Sequence, residues 1–162
     1  MKDLRVKKSK IHGLGLFSKK PKKKGTRISF LKGNVCKKHN SSIRDALSHS
    51  CWIGIGRDTW IDPSYPYRYI NHSCNPSTSI KGRVTLVALR DLKPNDEITL
   101  DYSLLEADSR WHMNCKCKET NCRKTIRAIG FLPKKIFKGY LPFVPTYFKD
   151  LYLNNRGHSR GL

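Results

Sequence analysis

Three cysteines fall within eight residues in CKCKETNC, at Cys115, Cys117 and Cys122, inside a polar, lysine-rich stretch. Thiols packed that closely in such surroundings cannot all be core hydrophobes. A tetrahedral structural zinc site takes four ligands, so the cluster supplies three and the fold must bring the fourth from elsewhere. That requirement ties remote segments together, and it constrains the chain more than any other feature. Cys74 is the best candidate. It stands in YINHSCNPST, where an amide, an imidazole, a hydroxyl and a thiol follow one another after Ile70 and the run passes into Asn75-Pro76. Four different polar side chains in a row are poor core material, and Asn-Pro marks a turn or loop whose side chains serve the backbone or a ligand. Cys36 and Cys51 lie in ordinary surroundings, His112 and His39 are weaker alternatives for the fourth position, and redox pairing is the competing reading of the cluster.

The remaining bounds come from size and charge. A chain of 162 residues suits one domain with a real core and no disulfide staples. Its net charge is +21. The first forty residues carry fourteen Lys or Arg against the single acid Asp3, residues 41–115 are balanced, and residues 116–162 are again basic. Two basic flanks around a balanced core favour polyanionic partners: nucleic acid, a protein bound to it, or an anionic membrane surface. Non-specific nucleic acid contact is therefore expected, with solubility as the alternative role of the charge. No apolar run follows the lysine-rich start and no eighteen apolar residues occur together, so we expect no signal peptide and no membrane span. The expected setting is intracellular, cytoplasm or nucleus, where six cysteines are more readily free or metal-bound than paired.

The pattern along the chain predicts a mainly β fold with short helices. TRISFL reads as a strand closed by Lys32-Gly33, and WIGIGRDTWID as a hairpin around Gly56-Arg57-Asp58. RVTLVALRDL is β-rich, KPND turns the chain, and EITLDY continues as a strand. SSIRDALSH is the helical candidate of the first two-thirds. Beyond it, Pro133 and Pro145 each precede apolar pairs four apart, Ile136 with Tyr140 and Phe137 with Leu141, then Tyr147 with Leu151 and Phe148 with Tyr152. Two short amphipathic helices are predicted there, the first weakened by Gly139.

Taken together, GLGLF at 13–17, RYINHSCNPS at 68–77, NDEITLDY at 95–102 and CKCKETNCR at 115–123 occur in an order that resembles SET-domain protein-lysine methyltransferases with a post-SET zinc segment. The resemblance covers roughly residues 4–127. It implies small curved sheets around a pseudoknot, with a SET domain at 1–114 and a post-SET zinc-binding segment at 115–127; beyond it, the residue pattern predicts a C-terminal helical extension at 128–153 and a disordered tail at 154–162.

The resemblance also implies a chemistry: methyl transfer from S-adenosylmethionine to a lysine of a basic protein, such as a histone or a DNA-bound histone-like protein. Gly13, Leu14 and Gly15 match a turn whose backbone lies close to the donor. Asn71 and His72 match positions that hold its amino and adenine groups, Arg68 and Tyr69 line the same pocket, and Ile126 matches an apolar position packing on adenine. Tyr102 matches the active-site tyrosine. One structural zinc on Cys74, Cys115, Cys117 and Cys122 would tie the polar loop to the post-SET segment. Two departures stand out: Leu100 replaces the usual aromatic before Asp101, which opens the number of methyl groups added, and Cys51 and Trp52 stand near the place of the second channel tyrosine, leaving Tyr65, Tyr67 or another residue to substitute. The alternatives are an inactive zinc-stabilised nucleic-acid-binding module on the same scaffold and an interaction protein built on the C-terminal aromatic helices.

Overall fold

The protein was analysed as a computed structural model that describes residues 2–37 and 52–157. The predicted helix SSIRDALSH, His39 and Cys51 lie outside the described residues. Strands β1 (Leu4–Lys8) and β2 (Leu14–Ser18) form an antiparallel pair running from Leu4 opposite Ser18 to Lys8 opposite Leu14. The small sheets β3 (Arg27–Phe30), β9 (Thr85–Ala88), β8 (Thr78–Lys81) and β4 (Gly33–Lys37), β6 (Thr59–Pro63), β5 (Ile53–Gly56) pack beside it, each in that strand order. On the far edge of β2 lies β10 (Glu97–Leu100), and β10 pairs in parallel with the two-residue strand β7 (Asn71–His72). Parallel neighbours need a long crossover. Here the crossover sets NHSC directly beside EITLDY, although some two dozen residues separate them.

The predicted hairpin forms as β5 and β6 around Arg57-Asp58, with Asp58 in the left-handed region at φ 46°. β3 ends at Phe30, ahead of Lys32-Gly33 as expected, and Gly33 then opens β4, where a Cβ would run into the backbone of Asp62 and Pro63 on β6. One expected boundary moves. EITLDY does not stay extended: β10 stops at Leu100, and Asp101 accepts a hydrogen bond from the Ser103 N–H at 3.0 Å. That side-chain capping converts Tyr102–Leu105 into a 3-10 turn. The last strands, β11 (His112–Asn114) and β12 (Thr125–Arg127), pair around the cysteine cluster and close it as a loop.

Both C-terminal helices are present as α1 (Lys134–Tyr140) and α2 (Thr146–Gly157). Leu141 falls outside α1 and is exposed, since the residue before Pro142 is disfavoured from helical angles. The helices bury Phe137, Tyr140, Phe148 and Tyr152 against the core of Leu16, Ile80, Leu86 and Ile98, and the Phe137 and Tyr152 rings stack at 3.8 Å. No helix among the described residues is long and apolar enough to cross a membrane.

Two glycines predict opposite effects. At Gly54 on β5 a Cβ would meet the carbonyl of Leu105 and lie 2.7 Å from the Phe148 ring, so Gly54→Ala is expected to lose about 1–3 kcal/mol in denaturant unfolding. At Gly139, inside α1, the same atom meets open space, and Gly139→Ala is expected to gain about 0.5–1 kcal/mol. Equal shifts in both variants would contradict this packing of α2 on β5.

Candidate functional site

The parallel β7–β10 pair brings three of the sequence motifs to one place. The Asn71 amide nitrogen donates to the carbonyls of His12 at 3.2 Å and Leu14 at 3.1 Å, and to Glu97 Oε1 at 2.9 Å. Ser9 holds the same carboxylate through its hydroxyl at 2.8 Å. Gly13 takes a left-handed φ of 48°, and the space a Cβ would fill at Gly15 is occupied by the Glu97 carboxylate. With its nitrogen committed to three acceptors, the Asn71 amide presents its oxygen to an incoming donor such as an ammonium. Tyr102 sits at the end of the same pair. Its hydroxyl donates to the Ile70 carbonyl at 2.7 Å and its backbone N–H donates to His72 Nδ1 at 3.2 Å.

A second cluster adjoins the first. The sulfurs of Cys74, Cys115 and Cys117 and a ring nitrogen of His72 lie within 4.8 Å of one another, and the Cys74 and Cys115 sulfurs are 3.7 Å apart. Four ligands about 2.3 Å from a common centre stand about 3.8 Å apart at the tetrahedral angle, so the spacing of the Cys74 and Cys115 thiols fits zinc. Cys122 is a hydrogen-bonding neighbour of both Cys115 and Cys117. Burial pushes the Cys74 and Cys115 thiols up. At Cys117 burial acts in the same sense but is outweighed by hydrogen bonds from the backbone of Cys74 and Glu119, which bring that thiol down to about 7. The His72 imidazole is held down to about 4 by burial, against the pull of Asp101, so it is neutral near pH 7. A neutral ring whose Nδ1 accepts from Tyr102 carries its proton on Nε2, 3.4 Å from the Cys74 sulfur. In that tautomer His72 donates to the sulfur cluster rather than ligating a metal.

Asp101 links the two clusters to the C-terminal extension. Its side chain is fully buried and accepts from Arg123 Nη2 at 2.6 Å and from the Tyr140 hydroxyl at 2.9 Å. Arg123 also donates to the Ser103 hydroxyl at 3.3 Å and, from its backbone N–H, to the Cys74 sulfur at 3.3 Å. Burial lowers the readiness of Arg123 to carry charge, but Asp101 more than offsets this; burial and the same carboxylate push the Tyr140 phenol up. Tyr140→Phe leaves one carboxylate oxygen of Asp101 without this partner. It is expected to cost about 1.5–3 kcal/mol in denaturant unfolding, the range for hydrogen bonds to charged groups; an unchanged midpoint would contradict the contact.

Of the residues singled out in the sequence, Gly13, Leu14, Gly15, Asn71 and Tyr102 converge around β7 and β10. The His72 side chain faces the cysteines, leaving only its backbone toward any ligand beside Asn71. Arg68 is exposed and Tyr69 half-buried on a 3-10 turn, with Tyr65 edge-on to Tyr69 at 6.1 Å. Tyr67 is buried and shares a hydrogen bond with Ser29 at 2.6 Å, which commits it to the core. Ile126 is completely buried on β12. Glu97, Asp101, Arg123 and Tyr140 were not singled out. The first three stand inside the quoted motifs as charges beside site residues, which was the available signal; Tyr140 reads only as part of an amphipathic helix.

Comparisons with known proteins bear on the family and the fold. A family model described as SET domain matches residues 13–103. The chain is 33% identical over 132 residues to the histone-lysine N-methyltransferase trr of Drosophila melanogaster, covering 72% of this chain and 5% of that protein. It is 29% identical over 139 residues to the histone-lysine N-methyltransferase TRX1 of Oryza sativa subsp. japonica, covering 75% and 13%. The chain thus spans a small part of the length of these curated relatives. Among solved structures, KRYPTONITE in complex with mCHG DNA and SAH aligns with a TM-score of 0.60 at 25% identity, over 75% of this chain and 28% of that one. The methyltransferase domain of human histone-lysine N-methyltransferase SETMAR aligns with a TM-score of 0.62 over 77% and 58%, and at 20% identity this is a likeness of fold alone.

Proposed function

Because the chain belongs to the SET-domain family, we propose that it transfers a methyl group from S-adenosylmethionine to a lysine side chain of a basic protein, a histone or another protein bound to nucleic acid. The donor supplies an activated methyl on a sulfonium. What the chain must supply is alignment and a neutral amine, since a lysine with a pKa of about 10.4 is neutral in well under one part in a hundred at pH 7. The observation that carries the reading is the Tyr102 hydroxyl, fixed by the Ile70 carbonyl at 2.7 Å next to the strand of Asn71. With its proton given to that carbonyl, the hydroxyl would act toward an amine as an acceptor. It accepts from an amine N–H and so orients the nitrogen lone pair.

Around that centre the other residues bind and position. Asn71 would receive the donor's ammonium at its amide oxygen, beside the Gly13–Gly15 turn. Cys74, Cys115, Cys117 and Cys122 would hold one structural zinc, which fixes residues 115–127 against the NHSC loop. The extension carrying α1 and α2 supports Asp101 from behind. The basic flanks suit a substrate presented on nucleic acid, because a free basic tail would be repelled. Calorimetry tests the donor site: Asn71→Ala is expected to weaken S-adenosylmethionine binding about tenfold, as for loss of one charge-assisted hydrogen bond. Unchanged affinity in a folded variant would remove Asn71 from the site.

A further inference from the structure

The two basic flanks meet in the fold at a groove of about 410 Å³. Lys24 comes from the N-terminal flank, Lys135 from α1, and Arg90 from the balanced middle; Asn75 and Asn121 also line it, and Ile136 and Phe143 form part of its wall. None of its lining residues is a carboxylate. Neighbouring acids are engaged by other groups: Asp91 by Lys23 at 2.8 Å, Asp96 by Arg90 at 3.0 Å, and Glu119 by Asn75 at 3.4 Å. Of the lysines that precede the groove, Lys20 and Lys22 share Asp3 at 3.0 and 2.8 Å and Lys23 pairs with Asp91, so three of them have acidic partners. Lys24 differs from them. Its backbone N–H is pinned by Asp91 at 2.8 Å, and neither its ammonium nor that of Lys135 pairs with an acid among the described residues.

We propose that this groove seats the phosphodiester backbone of nucleic acid, independently of base sequence. Unpaired cations from separate segments converge on one concave surface of a chain with net charge +21. A polymer of phosphates collects that whole field, whereas a single acidic side chain collects one contact. The assignment refines the proposed presentation of substrate on nucleic acid and rests on that reading, not on methyl transfer itself.

Fluorescence anisotropy with a mixed-sequence duplex DNA, without methyl donor, tests it. The log–log salt dependence of binding is expected to become shallower by about two in Lys24→Gln/Lys135→Gln, as two phosphate contacts are lost. The same number of charges removed in Lys20→Gln/Lys23→Gln is expected to leave it nearly unchanged. An unaltered slope in the groove variant overturns the assignment, as do equal losses in the two variants, or displacement of the duplex by polyglutamate as readily as by unlabelled duplex. A chain that shows the expected pattern yet methylates no lysine would leave the groove assigned and refute the enzyme reading alone.

Discussion

Tyr102→Phe is expected to bind S-adenosylmethionine as the parent does while losing methyl transfer by on the order of 10²-fold, the scale of a small misplacement at a reacting centre. The hydroxyl lies at the end of β10, where it donates to the Ile70 carbonyl, while the Tyr102 backbone donates to His72. Those two bonds hold the tyrosine at the end of the strand pair. Phenylalanine keeps the ring, its edge-on packing against His72 at 5.4 Å, and the backbone bond. What disappears is the acceptor that orients an amine, so the loss falls on kcat more than on donor affinity. Single-turnover kinetics beside donor calorimetry separate the two. Parent-like turnover in the folded variant would remove Tyr102 from the mechanism.

Loss of the metal is the other large effect. Native protein is expected to carry about one zinc per chain, and Cys117→Ser to carry almost none, because a structural site needs all four ligands. The cluster sits in the loop between β11 and β12 and is joined to the core through Cys74, Arg123 and Asp101. Hydrogen exchange should therefore rise across residues 112–127 and the loop of Cys74, while β1, β2 and β10 keep their protection through their own sheet. Because His72 holds its proton on the cysteine side, His72→Ala should retain zinc where Cys122→Ser loses it. Zinc retained in Cys117→Ser and in Cys122→Ser would contradict the four-cysteine assignment.

Much of this site was legible because its chemistry demands particular residue types at particular places. Thiols crowded into a polar loop point to a partner elsewhere, and the fold brings Cys74 to 3.7 Å from Cys115. The hairpin around Arg57-Asp58 and the helices after Pro133 and Pro145 follow from turn and cap chemistry that acts locally. What escaped depends on distant pairing. Asp101 and Tyr140 meet only because α1 folds back onto the core, and a tyrosine on an amphipathic helix looks the same whether it merely packs or also donates. The basic N-terminal flank gave no sign of its partners: Lys20 and Lys22 share Asp3, and Lys23 pairs with Asp91, remote in sequence. The place of His72 in the motif does not tell which way its ring points, and the fold turns the ring to the Cys74 sulfur.

The central claim is that a lysine receives the methyl group. Incubating the protein with isotopically labelled S-adenosylmethionine and nucleosomes, free core histones or cell lysate, followed by peptide mass spectrometry, tests it directly. The account predicts label on a lysine side-chain nitrogen, and far less of it when Tyr102→Phe replaces the parent. Donor binding without label on any lysine in any of these substrates would contradict it.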